Sequence, residues 1–374
     1  MQRKILVLSN NCSGLVNFRR EVLEAFAKQG YTLIVAAPED FKTYIIKEMG
    51  CKFINFKFNR RGMNPFADMC LFVKYWHLLH CLKPDIVLTY TIKPNLYGGM
   101  ACRLTKTNHL ANITGLGIAA EKKGLIKTII YTLYKIGLKK ANAVFLQNKH
   151  DLSYCISHKL INDRSILLPG SGVNLDKFKQ QEYPISKIIK FIFIGRIQKR
   201  KGIDLYIEAA RIIKKEFPDT EFHVLGRCED VFYQRILSSL EKKGYVKYHG
   251  FTDDVRPFLK DIHCTVHPSY YNEGMSNVLL ESCATGRPVI TTNKAGCADI
   301  VVDGKNGYIM DKIDTESLVR LIKLFISLPY QTRKEMGNYA RKKMEEEYDR
   351  QIVVNQYLAT VSQITNTKNK LANY

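Results

Sequence analysis

Short apolar runs, each followed by an amphipathic stretch, recur along almost the whole chain, and they fall into two series. In the first, Lys4–Ser9 reads as a buried strand and Val16–Gln29 as a helix. Tyr31–Ala37 and Lys52–Phe58 read as strands, Phe66–Leu82 as a helix, and Asp85–Thr89, Leu110–Ile113, Ala143–Leu146 and Ser165–Leu168 as further strands. Continuous apolar runs, rather than strict alternation, mark parallel strands covered on both faces, and interleaved helices mark βαβ units. A turn-rich break from Pro169 to Pro184 interrupts the pattern. The second series follows: strands at Ile189–Ile194, Glu221–Leu225, Val246–His249, Cys264–His267 and Pro288–Thr291, with helices at Ile203–Phe217, Val231–Lys243 and Ser276–Thr285. Charged helical sequence from Asp314 to Tyr357 closes the chain. The expected fold class is α/β: two Rossmann-like, doubly wound parallel-sheet domains facing across a cleft, with boundaries at 1–170 and 171–349. The 374 residues suit two domains. Ligands of such sheets sit beyond the C-terminal ends of the strands, so the chemistry belongs in the loops that follow them.

In the second series, Glu273 and Glu281 stand out within Asn272-Glu-Gly-Met-Ser-Asn-Val-Leu-Leu-Glu281. Glu273 falls in the loop after a strand. Ser276 is a good N-cap residue, and Glu281 lies inside the helix that follows. A helix start preceded by Gly274 offers backbone N–H groups to phosphate oxygens, and a helical carboxylate can accept both hydroxyls of a ribose. The same spacing also suits a capped helix with two solvated glutamates. Gly195-Arg196-Ile-Gln-Lys-Arg-Lys201-Gly202, directly after the Ile189–Ile194 strand, favours a ligand. Arg196 and Lys201 are placed to clamp a diphosphate and to stabilise charge on a departing nucleoside diphosphate. Cations at a helix start otherwise oppose its dipole.

These motifs resemble the C-terminal domain of family 4 retaining glycosyltransferases of the GT-B fold. The family's paired glutamates appear as Glu273 and Glu281, and its Arg and Lys as Arg196 and Lys201. Leu168-Pro-Gly-Ser-Gly-Val-Asn174, Gly250-Phe-Thr-Asp-Asp-Val255 and Val266-His-Pro-Ser269 match in order, so the resemblance spans nearly the whole chain. It implies that Glu281 binds the ribose hydroxyls. Glu273, with Gly274, Met275, Ser276, Asn277 and Val278, would hold the donor sugar. Gly195, Arg196 and Lys201 would hold the diphosphate, and Gly226, Phe251, Thr252 and Val255 would surround the base. Glu273, Arg196 and Lys201 carry the catalytic assignment, with Glu273 positioning sugar rather than acting as a nucleophile. The resemblance further implies retention of anomeric configuration, no metal and no cofactor. A C-terminal helix at about 350–370 would pack back on the first domain.

The first half supplies the acceptor side. Ser9-Asn-Asn-Cys-Ser-Gly14 is a short polar loop and not a dinucleotide fingerprint. In the family it lies beside the donor phosphates, with Gly14 allowing close approach; a plain tight turn reads equally well. Thr89-Tyr-Thr-Ile-Lys-Pro-Asn-Leu-Tyr-Gly-Gly99 and Ala111-Asn-Ile-Thr-Gly-Leu-Gly117 resemble a subgroup building capsule, O-antigen and other lipid-linked glycans. The match in kind is to N-acetylgalactosaminyltransferases acting on undecaprenyl-diphosphate sugars. The implied donors are UDP-GalNAc, UDP-GlcNAc or UDP-Gal, and the implied acceptor is a polyprenyl-diphosphate-linked glycan. Many members carry a His after the Leu110–Ile113 strand, where this chain has Thr114 and Gly115. Lys93, Asn112 and Thr114 are the candidates for that unassigned role; His109, before the strand, reads as structural or surface.

Charge narrows the partners. The net charge is +22, and residues 1–170 hold 25 Lys and Arg against 10 Asp and Glu, a net of +15. A basic half implies an anionic partner, here a membrane surface, unless the chain is simply lysine-rich throughout. Nucleic acid is disfavoured by the lack of a zinc finger, an RNA-binding aromatic signature or a basic helical arm. The amphipathic segment Glu121–Lys140 carries lysines beside an apolar face, which fits either lipid attachment or packing on the sheet. No secretory leader or membrane span is visible, and the ten cysteines include no Cys-x-x-Cys pair. The expected location is cytoplasmic, peripheral to the inner face of a bacterial membrane. A sugar-nucleotide epimerase or phosphorylase on the same scaffold is the alternative enzyme.

Overall fold

The computed structural model describes residues 2–60, 62, 64–116, 124–161 and 163–372. The chain divides into two units, Met1–Ser171 with Arg350–Tyr374, and Gly172–Asp349.

In the first unit, the described residues form a seven-stranded sheet from β1 (Lys4–Leu8), β2 (Thr32–Ala37), β3 (Lys52–Asn55), β4 (Ile86–Tyr90), β5 (Asn108–Ile113), β6 (Ala143–Leu146) and β7 (Ser165–Leu167). The order is β3-β2-β1-β4-β5-β6-β7, with every pairing parallel. Alternate side chains of one strand enter opposite layers, which is why the strand reads as a continuous apolar run. Ile5 and Val7 pack with Val353, Val354, Tyr357 and Val361 of the C-terminal helix Arg350–Ala372. Leu6 and Leu8 pack on the other side with Leu71, Tyr75 and Leu79 of the helix Pro65–Leu82.

The second unit forms a six-stranded sheet from β8 (Ile189–Ile194), β9 (Thr220–Leu225), β10 (Lys247–Tyr248), β11 (Cys264–His267), β12 (Val289–Thr292) and β13 (Gly307–Met310). Its order is β10-β9-β8-β11-β12-β13, again parallel throughout. Phe191 and Phe193 face a cluster containing Tyr206, Phe222 and Phe325, whereas Ile192 and Ile194 face Leu225, Leu259 and Ile262.

Several boundaries differ from the sequence expectation. The third strand ends at Asn55 because Phe56 and Phe58 turn onto Tyr75, with Phe56 stacked at 4.8 Å. Pro94–Gly98 forms a π-helical turn, and β13 adds an edge strand that periodicity does not announce. The charged stretch after Asp314 is three helices, Thr315–Ser327, Tyr330–Glu347 and Arg350–Ala372, broken at Pro329 and Asp349. The lysine-rich segment forms the helix Gly124–Leu138. Its Tyr134 and Leu138 are buried in the core, while Ile126 and Ile129 are exposed. Gly117 and Glu121–Lys123 lie outside the described residues. All ten cysteines are free thiols, seven of them buried.

Candidate active site

Strand order locates a crevice in each sheet. In the second unit the order reverses between β8 and β11, and the loops after these two strands diverge there. The β8 loop carries Gly195 and the exposed Arg196, then a short turn Lys199–Lys201 leading into the helix Ile203–Glu216. The β11 loop runs from Pro268 to Ser276 and leads into the helix Asn277–Ala284. The two loops touch. Tyr270 N donates to Arg200 O at 3.0 Å, and a Cβ on Gly202 would lie 2.0 Å from Pro268 O. Gly202 also has φ +79°, so only glycine fits this approach.

Across that junction Lys201 Nζ donates to Glu273 Oε1 at 2.7 Å, with each side chain 12% exposed. His267, the fully buried last residue of β11, places Nε2 2.8 Å from the same oxygen. Its Nδ1 finds no hydrogen-bond partner. Burial alone would push the Glu273 carboxyl upward. The charges and hydrogen bonds of His267 and Lys201 outweigh it and hold the group well below the usual carboxylate range. For Lys201, burial pulls the ammonium down, but Glu273 and Tyr271 reverse the shift and leave its pKa raised. The result is a fixed carboxylate, able only to accept hydrogen bonds, beside a fixed cation.

The loop 273–276 is tied to the turn after β12. Glu273 N donates to Ala295 O and Ser276 N to Gly296 O, at 2.9 and 2.8 Å. One sequence expectation, the Ser276 cap, is corrected here. Ser276 stands at the N-cap position, but its buried hydroxyl makes no capping bond and has no partner; its amide is already used. Gly274 and Met275 are buried in the loop, and Asn277 and Val278 open the helix half-buried. Glu281 lies one helical turn beyond Asn277 and is likewise half-buried. Val278 and Val255 both pack against the Ile192 and Ile194 cluster, so each shapes the wall rather than offering a polar contact.

A second group of residues assembles after β9 and β10. Gly226 N donates to Gly250 O at 2.7 Å, and a Cβ at Gly226 would lie 1.8 Å from Gly195 O, which makes glycine obligatory. Phe251 is exposed, and the Arg227 guanidinium sits 4.8 Å above its ring. Thr252 Oγ1 accepts from Asp254 N and thereby shapes the loop. A flat apolar ring with a cation on its face can receive a nucleobase.

His267, Glu273 and Cys297 bring potential ligand atoms within 4.8 Å of one another. The set suits a metal ion poorly. Burial pushes the Cys297 thiol up, away from the thiolate that a metal needs, and Glu273 Oε1 already holds the Lys201 ammonium.

In the first unit the order reverses between β1 and β4, and a cavity of about 200 Å³ opens there. Its lining includes Asn10 after β1, Thr91 and Lys93 after β4, Thr114 and Gly115 after β5, and Arg60. Thr91 has φ +73°, costly for a β-branched residue, and its buried hydroxyl has no partner. Lys93 Nζ is 2.6 Å from Asp68 Oδ1, whose other oxygen accepts from Tyr97 OH. Of the three acceptor-side candidates, Lys93 and Thr114 line this cavity and Asn112 does not. Asn112 is buried, with Nδ2 on Thr89 O and Oδ1 on Tyr357 OH, so its side chain is occupied in the core. His109 is buried beside Thr89, and burial lowers its pKa to about 4, which makes it structural. The Gly14 amide donates to Asn11 Oδ1, while Cys12 and Ser13 donate to Asp40 Oδ2. A phosphate at this helix start would therefore compete with the protein's own carboxylate.

His267 lies within Val266-His-Pro-Ser269, a motif that by itself assigns it no role. The available signal was its position at the end of a strand, one loop before Glu273.

Residues 176–343 match the family model of glycosyl transferases group 1, and residues 4–148 match the glycosyl transferase 4-like model. The chain is 24% identical to a Campylobacter jejuni N,N'-diacetylbacillosaminyl-diphospho-undecaprenol alpha-1,3-N-acetylgalactosaminyltransferase, covering 95% of this chain and 97% of that one. It is 25% identical to an Escherichia coli UDP-Gal:alpha-D-GlcNAc-diphosphoundecaprenol alpha-1,3-galactosyltransferase, covering 70% and 71%. Among solved structures, Anabaena HepE in complex with UDP-glucose superposes with a TM-score of 0.77 at 15% identity, covering 96% of this chain and 99% of that one. Such likenesses place the fold in the GT-B class.

Proposed function

The chain belongs to the glycosyltransferases, with a 4-like domain followed by a group 1 domain, and from that premise we propose that it transfers a hexose or N-acetylhexosamine from a UDP-sugar to a polyprenyl-diphosphate-linked glycan, with retention of configuration and without a metal. The observation that carries the donor half is Glu273, held as an anion by Lys201 and His267 at the crevice of the group 1 domain. In this reading Glu273 accepts the hydroxyls of the donor sugar and Glu281 those of the ribose. Phe251 and Arg227 flank the base. Arg196 and Lys201 neutralise the diphosphate. The acceptor hydroxyl attacks the anomeric carbon on the face the leaving group departs from, as the bond to the β-phosphate oxygen breaks. The hydroxyl proton passes to that oxygen. Two cations at the diphosphate supply the charge stabilisation a metal would otherwise give.

The lipid-linked acceptor is supported by the relatives' specificities, and the cavity at Thr91, Lys93 and Thr114 is where a small hydroxylated group of it would sit. The basic first half supports work at the cytoplasmic face of an anionic membrane.

The test is transfer of radiolabelled sugar from a panel of UDP-sugars to polyprenyl-diphosphate sugars, read with Arg196→Ala and Glu281→Ala. Loss in both variants is expected, and wild-type activity in both would show that the donor site is wrongly assigned. NMR of the product anomer tests retention, EDTA tests metal independence, and donor turnover without acceptor would indicate an epimerase instead.

A further inference from the structure

The helix Pro65–Leu82 is apolar on both sides. Leu71, Tyr75 and Leu79 face the core of the first unit. On the outer side Phe66 is 85% exposed, Met69 61%, Val73 49% and Trp76 42%. Their spacing of three, four and three residues aligns them in one stripe along the helix. A continuous apolar stripe on a soluble surface marks a docking site, whereas scattered single residues do not. No helix among the described residues is long and apolar enough to cross a membrane, and this one is anchored along its inner face, so it can lie in an interface but not span it.

Charge identifies the occupant. Residues 52–83 contain six Lys and Arg, including exposed Lys57, Arg60, Lys74 and Lys83, and a single acid, Asp68. That acid is already engaged by Lys93 and Tyr97. An apolar stripe carrying a tryptophan, with exposed Lys74 on the same helix and a strongly cationic surrounding segment, complements an anionic lipid surface, where indole sits at headgroup depth. We propose that this stripe is the membrane-docking surface of the chain, with Phe66, Met69, Val73 and Trp76 entering the headgroup–acyl boundary of an anionic bilayer. The inference names the surface for the membrane location proposed above, and it does not depend on the donor or acceptor chosen.

Trp76 is the single tryptophan of the chain, so its fluorescence reports on the stripe alone. With vesicles of phosphatidylglycerol in phosphatidylcholine, its emission should shift to the blue and be quenched by brominated acyl chains. High salt should weaken the binding, and pure phosphatidylcholine should bind roughly tenfold more weakly or worse. Phe66→Glu with Val73→Glu should reduce partitioning by roughly tenfold or more, with unchanged circular dichroism and unchanged sugar transfer to a short-chain, detergent-soluble acceptor. Flotation with vesicles while Trp76 emission stays unchanged would overturn this surface and leave the membrane location standing. No flotation at any salt would overturn both. A blue shift that follows protein concentration without lipid would assign the stripe to a second copy of the chain, and equal binding to neutral vesicles would remove the charge argument.

Discussion

Lys201 and Glu273 belong to loops after two different strands, yet Nζ and Oε1 meet at 2.7 Å with both side chains nearly buried. Glu273 is held below its ordinary pKa, and Lys201 above its own. A depressed carboxylate contributes stability that is complete above its unfolded value, ~4.3, and is lost as pH falls through the folded value. A raised lysine contributes stability that is complete below ~10.4 and is lost as pH rises through its folded value. The stability gap between wild type and Glu273→Gln should therefore be flat from about pH 5 to about pH 9, at roughly 3–5 kcal/mol. It should narrow in acid below about pH 4. Urea unfolding at stepped pH measures it, and a gap that widens on acidification would contradict the pairing.

His267 is buried and touches Glu273, so the role proposed for it is positioning that carboxylate. Removing its ring by His267→Ala should leave substrate affinity near normal and lower kcat by roughly tenfold or more, because a carboxylate misplaced by about 1 Å loses much of its effect. His267→Gln retains an N–H donor and should recover part of the rate. Equal loss in both variants, with a raised donor KM, would point to collapse of the loop instead.

The two halves of the donor site should separate kinetically. Arg196 is assigned to charge that develops as the diphosphate departs, so Arg196→Ala should lower kcat by roughly 100-fold or more. Glu281 is assigned to ribose hydroxyls that bind equally in ground and transition states. Glu281→Ala should chiefly raise donor KM, by about 10- to 100-fold for loss of charge-assisted hydrogen bonds. Steady-state kinetics with a saturating acceptor distinguish the two, and an inverted pattern would exchange the roles.

Strand positions and the two-series layout were legible because buried parallel strands impose continuous apolar runs, and the sheet interiors at Ile5–Leu8 and Phe191–Ile194 obey that rule. The pairing of Lys201 with Glu273 was not, since it depends on two loops 72 residues apart meeting at a reversal of strand order. Ser276 has the residue type and the extended backbone of an N-cap, but its hydroxyl makes no capping bond, a side-chain detail that residue type alone does not announce. The outer stripe of Pro65–Leu82 was hidden by its own hydrophobicity. A helix apolar all round shows little periodicity, and only its neighbours reveal which side is covered.

Asn112 shows how a candidate for the missing histidine can be read as structure, and it supports one further test. Its Nδ2 donates to Thr89 O, and its Oδ1 accepts from Tyr357 OH on the C-terminal helix Arg350–Ala372. Thr89 Oγ1 in turn meets Asn95 and His109. This network ties the last helix to the strands of the first unit inside a buried layer, where an orphaned acceptor cannot recover water. Tyr357→Phe keeps the ring that packs on Phe145 but removes the hydroxyl, leaving Asn112 Oδ1 without that donor. The cost should be about 1–3 kcal/mol of stability. Hydrogen exchange should show the loss concentrated in Arg350–Ala372, with donor KM unchanged because Arg196, Lys201, Glu273 and Glu281, the residues proposed to hold the donor, lie in the other unit. A Tyr357→Phe variant as stable as wild type would show that the bond contributes nothing net. One that loses donor binding instead would return Asn112 to the list of site residues.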